Sequence, residues 1–357
     1  MAFQVSIPAS GHSFLAEAEE TILEAALRQG LSLPYGCRDG ACGACRGRIL
    51  AGVIDHGRAP LDILGSVDRD AGLALFCCAR ARSDLAIESR EARSFDDLPI
   101  RTLPARVARL VQAAPEVMIV DLKLPASERL RFLAGQYIDI LLPGGKRRSF
   151  SLANAPHDDE FLQLHVRRVA GGQFTGHVFS ALRERDLLRL RGPFGSFFLR
   201  EESGKPLLFV AGGTGFAPIK SIVEHAIAQG CRRRMDIYWG GRRSVDLYLR
   251  PLAERWSTEF PQIRFVPVLS EPTADELLSY RSGFVHVAAM ADLPDLSGHQ
   301  VYVCGSPAMV AAARRDFVSN CSLPPDEFFA DAFDFASDTL AAIEAADRPE
   351  TRPKEND

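Results

Sequence analysis

The stretch Gly36-Cys37-Arg38-Asp39-Gly40-Ala41-Cys42-Gly43-Ala44-Cys45-Arg46-Gly47 holds three of the chain's eight cysteines within nine residues. Thiols this crowded are poorly placed to form disulfides with one another and well placed to hold a metal. The spacing is C-x4-C-x2-C, and Cys77 follows Cys45 after 31 intervening residues. That is the plant-type [2Fe–2S] pattern, in which four thiolates hold two irons. Such a loop wraps tightly and aims backbone N–H groups at sulfur, and Gly36, Gly40, Gly43 and Gly47 give it the freedom to do so. A structural zinc site is the alternative, but zinc sites pair C-x2-C units and the x4-then-x2 order does not fit. The fourth ligand stays open on spacing alone, because Cys77 and Cys78 are adjacent.

Outward from this loop the chain changes texture twice. Residues 1–92 form a first unit, with strands from the alternation of Phe3, Val5 and Ile7 and from His12 to Glu17. A helix follows, opened by a Thr21/Glu24 capping box and stopped at Gly30. The polar, proline-ended segment 93–103 reads as a linker. Residues 104–202 are short alternating strands between turns, an antiparallel barrel or sandwich. Residues 203–336 alternate buried strands (LLFVAG, MDIYWG, VYVCG) with helices at 218–229 and 307–318, so a parallel sheet is expected. The polar tail 337–357 is expected to be disordered.

In the second unit, Arg148-Ser149-Phe150-Ser151 follows a strand and a Pro-Gly-Gly turn. The arginine suits a flavin phosphate, the aromatic ring can stack on the isoalloxazine, and a hydroxyl can bond its edge. Four residues carry little by themselves. Downstream, Arg167 ends a strand, Gly171 and Gly172 turn, and Thr175 reads as a helix N-cap, which together make a pyrophosphate site. A glycine-rich barrel loop with solvated arginines is the plainer alternative.

In the third unit, Gly212-Gly213-Thr214-Gly215-Phe216-Ala217-Pro218 follows a strand and opens a helix. It is not a G-x-G-x-x-G fingerprint, yet its glycines let the backbone approach a dinucleotide. Cys304-Gly305 ends a second strand, and ligands of open α/β sheets bind at such carboxyl ends. Cys304 alone reads as a core cysteine; beside the GGTG turn it becomes a wall of the nicotinamide pocket. Arg242, with Arg243, is placed to meet the adenosine or a 2′-phosphate; a solvated loop is the equal alternative. The histidines lack metal-ligand spacing, and His165 and His177 read as structural.

Composition narrows the rest. Apolar residues make up 46% of the chain and charged residues 25%, with a net charge of −4, so no nucleic-acid footprint is expected. No apolar run of membrane-spanning length or secretory leader is visible, and the crowded thiols point to the reducing cytoplasm.

From about residue 3 to 335 the ordered motifs resemble the ferredoxin–NADP reductase superfamily, and within it reductases with an N-terminal ferredoxin domain, such as benzoate dioxygenase and methane monooxygenase reductases. The second half is also similar to NAD(P)H:flavin reductases and CDP-6-deoxy-glucoseen reductases. The resemblance implies a β-grasp [2Fe–2S] ferredoxin domain, a six-stranded antiparallel FAD barrel and a Rossmann-like parallel α/β NAD(P) domain. It sets CCARARSDLAI on the family's C-x-A-x-P-x-S-D-L strand, which selects Cys77 as fourth ligand. It puts Ser151 near flavin N5 and the pyrophosphate against Arg167, Gly172 and Thr175. It makes Asp331 and Phe333 the acidic and aromatic residues over the flavin. Phe150 departs from the usual tyrosine, and Asp331 from the usual glutamate.

The implied activity is an NAD(P)H-dependent, NADH-preferring reductase that works as a monomer and off the membrane. Electrons pass from the nicotinamide through FAD and the cluster to an oxygenase, monooxygenase or dehydratase component. A flavin or quinone reductase with an accessory cluster is one alternative, and a redox sensor is another.

Overall fold

The computed structural model describes residues 2–89, 93–94, 98–334 and 339. The first unit is built on the hairpin of β1 (Ala2–Ile7) and β2 (His12–Glu17), whose register places Phe3 opposite Ala16 and Ile7 opposite His12. Val5 and Ile7 turn inward, as the alternation requires. Helix α1 (Ile22–Arg28) covers the sheet and begins with the expected reciprocal cap. The Glu24 N–H donates to Thr21 Oγ1 and the Thr21 N–H to Glu24 Oε2; such a cap is worth about 1 kcal/mol. With β3 (Arg46–Ala51), β4 (Leu73–Leu75) and β5 (Leu85–Glu88), the sheet order is β2-β1-β5-β3-β4, and β1 and β5 run parallel. This is a β-grasp, with the cysteine loop spanning residues 36–45 just ahead of β3.

The second unit contains β6 (Arg101–Ala114), β7 (Val117–Lys123), β8 (Tyr137–Leu141), β9 (Arg147–Ser151), β10 (Leu162–Arg167), helix α2 (Gln173–Ser180) and β11 (Leu187–Phe194). The strand order is β9-β8-β11-β6-β7-β10, and every pairing is antiparallel. A bridge between Leu152 and Leu164 joins the two ends into a barrel. Buried Val107, Leu122, Ile138, Ile140, Leu164, Val166 and Leu190 fill it.

The linker reading needs correction at both ends. The ladder of β6 already begins at Arg101, opposite Gly192, and Arg93–Ser94 pairs with Leu31–Ser32. Thr102 and Pro104 are exposed on the outer face of β6, so a strand inside the barrel sheet reads in sequence as polar connection.

The third unit holds β12 (Leu207–Gly212), α3 (Phe216–Ala228), β13 (Met235–Gly241), α4 (Arg250–Glu259), β14 (Ile263–Leu269), β15 (Arg281–Ser282), α5 (Val285–Asp292), β16 (Gln300–Gly305), α6 (Pro307–Asn320) and β17 (Phe328–Ala332). The order β15-β14-β13-β12-β16-β17 is parallel throughout. Strand succession reverses between β12 and β16, so their carboxyl ends open the crevice where such folds take ligands. Both motifs read from the sequence lie there. The expected tail, 337–357, falls outside the described residues apart from Thr339. Among the described residues, no helix is long and apolar enough to cross a membrane.

The crevice depends on close backbone approach. A Cβ on Gly215 would sit 2.2 Å from the Cys304 carbonyl oxygen, whereas one on Gly204 would meet nothing within 4 Å. Gly215→Ala is expected to destabilise the third unit by about 2 kcal/mol or more, and Gly204→Ala by less than about 0.5 kcal/mol. Thermal unfolding of the two variants checks this; equal midpoints would show that the approach is not tight.

Candidate functional site

The four thiols fall into two pairs. The Cys37 N–H donates to Cys42 Sγ at 3.5 Å, and the Cys42 N–H returns to Cys37 Sγ at 3.4 Å. The N–H groups of Asp39 and Ala44 add one donor to each sulfur, both at 3.4 Å. In the second pair, Cys45 Sγ and Cys77 Sγ are 3.1 Å apart. The Cys78 sulfur lies 3.7 Å from that of Cys77. Two pairs are the donor set of a two-iron cluster, and no group of three or more ligands among the described residues converges on one metal position. Hydrogen bonds from the Cys42 thiol and from the Asp39 and Cys42 N–H groups lower the Cys37 thiol pKa, while Cys42 is pushed up. Arg38, Gly40 and Gly43 have positive φ (66°, 90° and 66°), which bends the loop around this position.

The loop is docked onto the other two units. Arg38 donates to both oxygens of Asp139 on β8 at 2.7 Å, and its guanidinium lies 4.5 Å from the centre of the Phe194 ring. Tyr137 Oη donates to the Gly36 carbonyl at 2.9 Å. The Tyr35 N–H donates to Ser196 Oγ, and the Ser196 N–H donates back to the Tyr35 carbonyl, both at 2.8 Å. Sequence reasoning found none of Arg38, Tyr137, Asp139 and Ser196. A buried carboxylate on a barrel strand, facing an arginine 101 residues away, leaves no local signal.

Against the same loop lies Asp331, on β17, opposite Cys304 in the ladder and 5% exposed. A Cβ on Gly36 would come within 3.2 Å of Asp331 Oδ1 and 3.1 Å of Cys42 Sγ. Ser151 Oγ, at the end of β9, donates to Asp331 Oδ2 at 3.4 Å. Burial raises the Asp331 pKa to about 7; the nearby Cys37 sulfur pushes it the same way and the Ser151 hydroxyl opposes it. Ser151, Asp331, Cys304 and the cysteine loop therefore meet at one junction. Phe333 lies two residues beyond Asp331, its N–H donating to the Gly305 carbonyl at 2.8 Å, with its ring partly buried.

The remaining flavin candidates lie along β9 and at the start of α2. Phe150 is half-buried, its ring 5.4 Å from Phe174, and Ser149 Oγ donates to Asp139. The Arg148 side chain donates to the Arg147 carbonyl. Thr175 is not the N-cap. That position is Gly172, preceded by Gly171 at φ 70°, and no side chain caps the helix. Thr175 lies in the first turn, where its hydroxyl accepts the Val169 N–H and donates to the Gly172 carbonyl. The uncapped N–H groups of α2 are thus left for an anion, as a pyrophosphate requires. Arg167 is exposed and 3.6 Å from Glu116, which also holds Arg242 at 3.3 Å.

At the crevice, Gly212, Gly213, Thr214 and Gly215 lead into α3 with no side-chain cap, and Pro218 sits in its first turn. By contrast, Ser306 caps α6 itself. A Cβ on Gly305 would lie 2.6 Å from Met309 Cε, and one on Gly212 2.7 Å from Met309 Sδ. Cys304 is fully buried, and burial holds its thiol well above the ordinary range. Trp239 closes the floor: its Nε1 donates to the Gly213 carbonyl at 2.9 Å and its ring stacks on Phe216 at 3.8 Å. Tyr248 shares a hydrogen bond with His165, joining the third unit to the barrel.

Three family models match the chain in this order: a 2Fe-2S iron-sulfur cluster binding domain over residues 6–82, an oxidoreductase FAD-binding domain over 104–199 and an oxidoreductase NAD-binding domain over 209–315. The CDP-6-deoxy-L-threo-D-glycero-4-hexulose-3-dehydrase reductase of Yersinia pseudotuberculosis is 39% identical over 333 residues, covering 93% of this chain and 99% of that protein. The reductase subunit of an aromatic O-demethylase from Amycolatopsis sp. is 39% identical over 322 residues, 89% of this chain and 94% of its own. The crystal structure of the Amycolatopsis cytochrome P450 reductase GcoB superposes with a TM-score of 0.75 at 38% identity, covering 93% and 98% of the two chains. At that identity along nearly its whole length, the chain belongs to the ferredoxin–NADP reductase superfamily, among the reductases that carry their own [2Fe–2S] ferredoxin domain beside FAD- and NAD-binding domains.

Proposed function

We propose that the chain oxidises NADH and delivers the electrons singly, through FAD and its own cluster, to a protein acceptor that is an oxygenase, monooxygenase or dehydratase component. The observation that carries this is the junction at Asp331, where the end of the flavin strand and the cysteine loop reach one carboxylate. A nicotinamide gives up two electrons as a hydride and a [2Fe–2S] cluster takes one at a time; FAD, when bound, does both. One NADH therefore reduces two acceptor equivalents and releases one proton. Relatives named as a dehydrase reductase and an O-demethylase reductase subunit support a separate acceptor.

The chain's own residues then have these roles. Cys37 with Cys42, and Cys45 with Cys77, hold the two irons, with Cys78 packing behind Cys77. Arg148, Ser149, Phe150 and Ser151 hold the flavin; the Gly171–Gly172 turn and the α2 N-terminus, with Arg167 and Thr175, take its pyrophosphate. Gly212 to Gly215, Pro218, Cys304 and Gly305 shape the nicotinamide path, with Asp331 and Phe333 closing the flavin side. Arg242 lines the adenosine end. It is held by Glu116, and Arg243 is held by Glu276 at 3.0 Å, so a 2′-phosphate would compete with carboxylates for both. This favours NADH. The chain works as a monomer of three domains, the first extending to the Arg93–Ser94 pairing, the second beginning at Arg101 and the third covering 203–336. Five cysteines gathered at one site suit the reducing cytoplasm.

Anaerobic mixing with NADH should bleach the flavin first and the cluster second, with NADPH at least about tenfold less efficient by kcat/KM. Absent flavin bleaching would overturn the reading. Cys77→Ser should abolish the cluster's visible absorption while Cys78→Ser retains it; the reverse outcome would reassign the fourth ligand.

A further inference from the structure

On the barrel's outer wall, beside the docked cysteine loop, β9, β8, β11 and β6 lie edge to edge. Their pairing sets outward positions in rows: Thr102, Arg191, Asp139 and Ser149 in one, then Pro104, Arg189, Leu141 and Arg147, then Arg106 and Leu187. Arg106, Arg147, Arg189 and Arg191 are all exposed. With neighbouring strands about 4.8 Å apart, they fall within a patch of roughly 10–15 Å. The only carboxylate among these positions is Asp139, already taken by Arg38 and Ser149. Arg106 and Arg189 make no ion pair among the described residues. Four arginines therefore stand together on a chain whose net charge is −4.

Two further features narrow the occupant. Leu187, 76% exposed, stands beside Arg106 at one end of the patch, so an exposed apolar side chain adjoins the arginines. Arginine is enriched at protein-docking surfaces, and a neighbouring exposed apolar side chain adds area to bury there. The patch also begins where the cysteine loop ends its docking: Arg191 is paired with Asp139, which binds Arg38, and Asp39 next in sequence is half-exposed. A protein seated here would lie against the exposed edge of the loop that holds the cluster.

We infer that this wall is the docking surface for the electron acceptor, which meets it with an acidic face. The inference rests on the proposed electron route and adds to it the side from which the acceptor approaches. Opposite charge speeds productive encounter and is weakened by salt, whereas like charge suppresses it.

The test uses the intact holoprotein with two one-electron haem proteins as probes, acidic cytochrome b5 and basic cytochrome c. Reduction of cytochrome b5 by NADH should slow steeply from low to high ionic strength. In Arg106→Glu/Arg189→Glu it should fall about tenfold at low salt, while Arg106→Lys/Arg189→Lys retains most of the rate. Cytochrome c reduction should not fall in the charge-reversed variant. Anaerobic reduction of flavin and cluster by NADH is followed in the same samples and should be unchanged, which separates docking from the electron route. Cytochrome b5 reduction indifferent to both salt and charge reversal would overturn the inference. So would unchanged cytochrome b5 reduction with loss of binding to phosphatidylglycerol vesicles, which would give the wall to a lipid surface.

Discussion

The cysteine loop packs closely against β17 at Gly36, which has no side chain to hold it away. A Cβ there would press on Cys42 Sγ, the Ala330 carbonyl and the Asp331 carboxylate, all within 3.2 Å. A side chain there would make those neighbours give by a few tenths of an ångström in an interior as dense as an organic crystal. Much of the structure serves this approach. The Arg38–Asp139 pair fixes the loop to the barrel, Tyr137 binds the Gly36 carbonyl, and Ser196 locks the backbone of Tyr35. Asp139 is almost wholly buried, so its charge is tolerable only while Arg38 and Ser149 hold it. Losing one partner would leave that charge stranded, which makes the docking specific.

The same junction explains the division of labour among the domains. The parallel sheet reverses its strand succession between β12 and β16, and the glycines at those two strand ends let the backbones nearly touch. On the proposed route a dinucleotide in this crevice would approach Cys304, whose ladder partner is Asp331. Asp331 in turn meets Ser151 from the barrel and the loop from the ferredoxin domain. A carboxyl group with a pKa near 7 in that place is neither a permanent charge nor a permanent neutral.

Much of this was legible in the sequence, for physical reasons. Thiol spacing and strand–glycine–helix turns are local patterns, so the Cys37–Cys45 loop and the turns at Gly212–Gly215 and Cys304–Gly305 could be picked out. The structure brings the Cys37 and Cys42 sulfurs together and sets both turns at neighbouring strand ends. The capping box at Thr21 is equally local and was found in place. Thr175 was misplaced by three residues, because Gly172 serves as the cap and a threonine in the first turn looks the same in sequence. The linker was drawn too long because the solvent-facing side of β6 carries the polar residues and proline that also mark connections. Arg38 and Asp139 were invisible, since their partnership joins residues from separate domains and neither stands in a motif.

The central claim is that electrons cross from flavin to cluster at this docked junction. Stopped-flow reduction of Arg38→Ala by NADH, with flavin and cluster followed at separate wavelengths, tests it most directly. Flavin reduction should keep the parent rate, while cluster reduction slows by about tenfold or more once the loop is released from Asp139. Cluster reduction at the parent rate, in a variant with intact flavin and cluster absorption, would contradict the account.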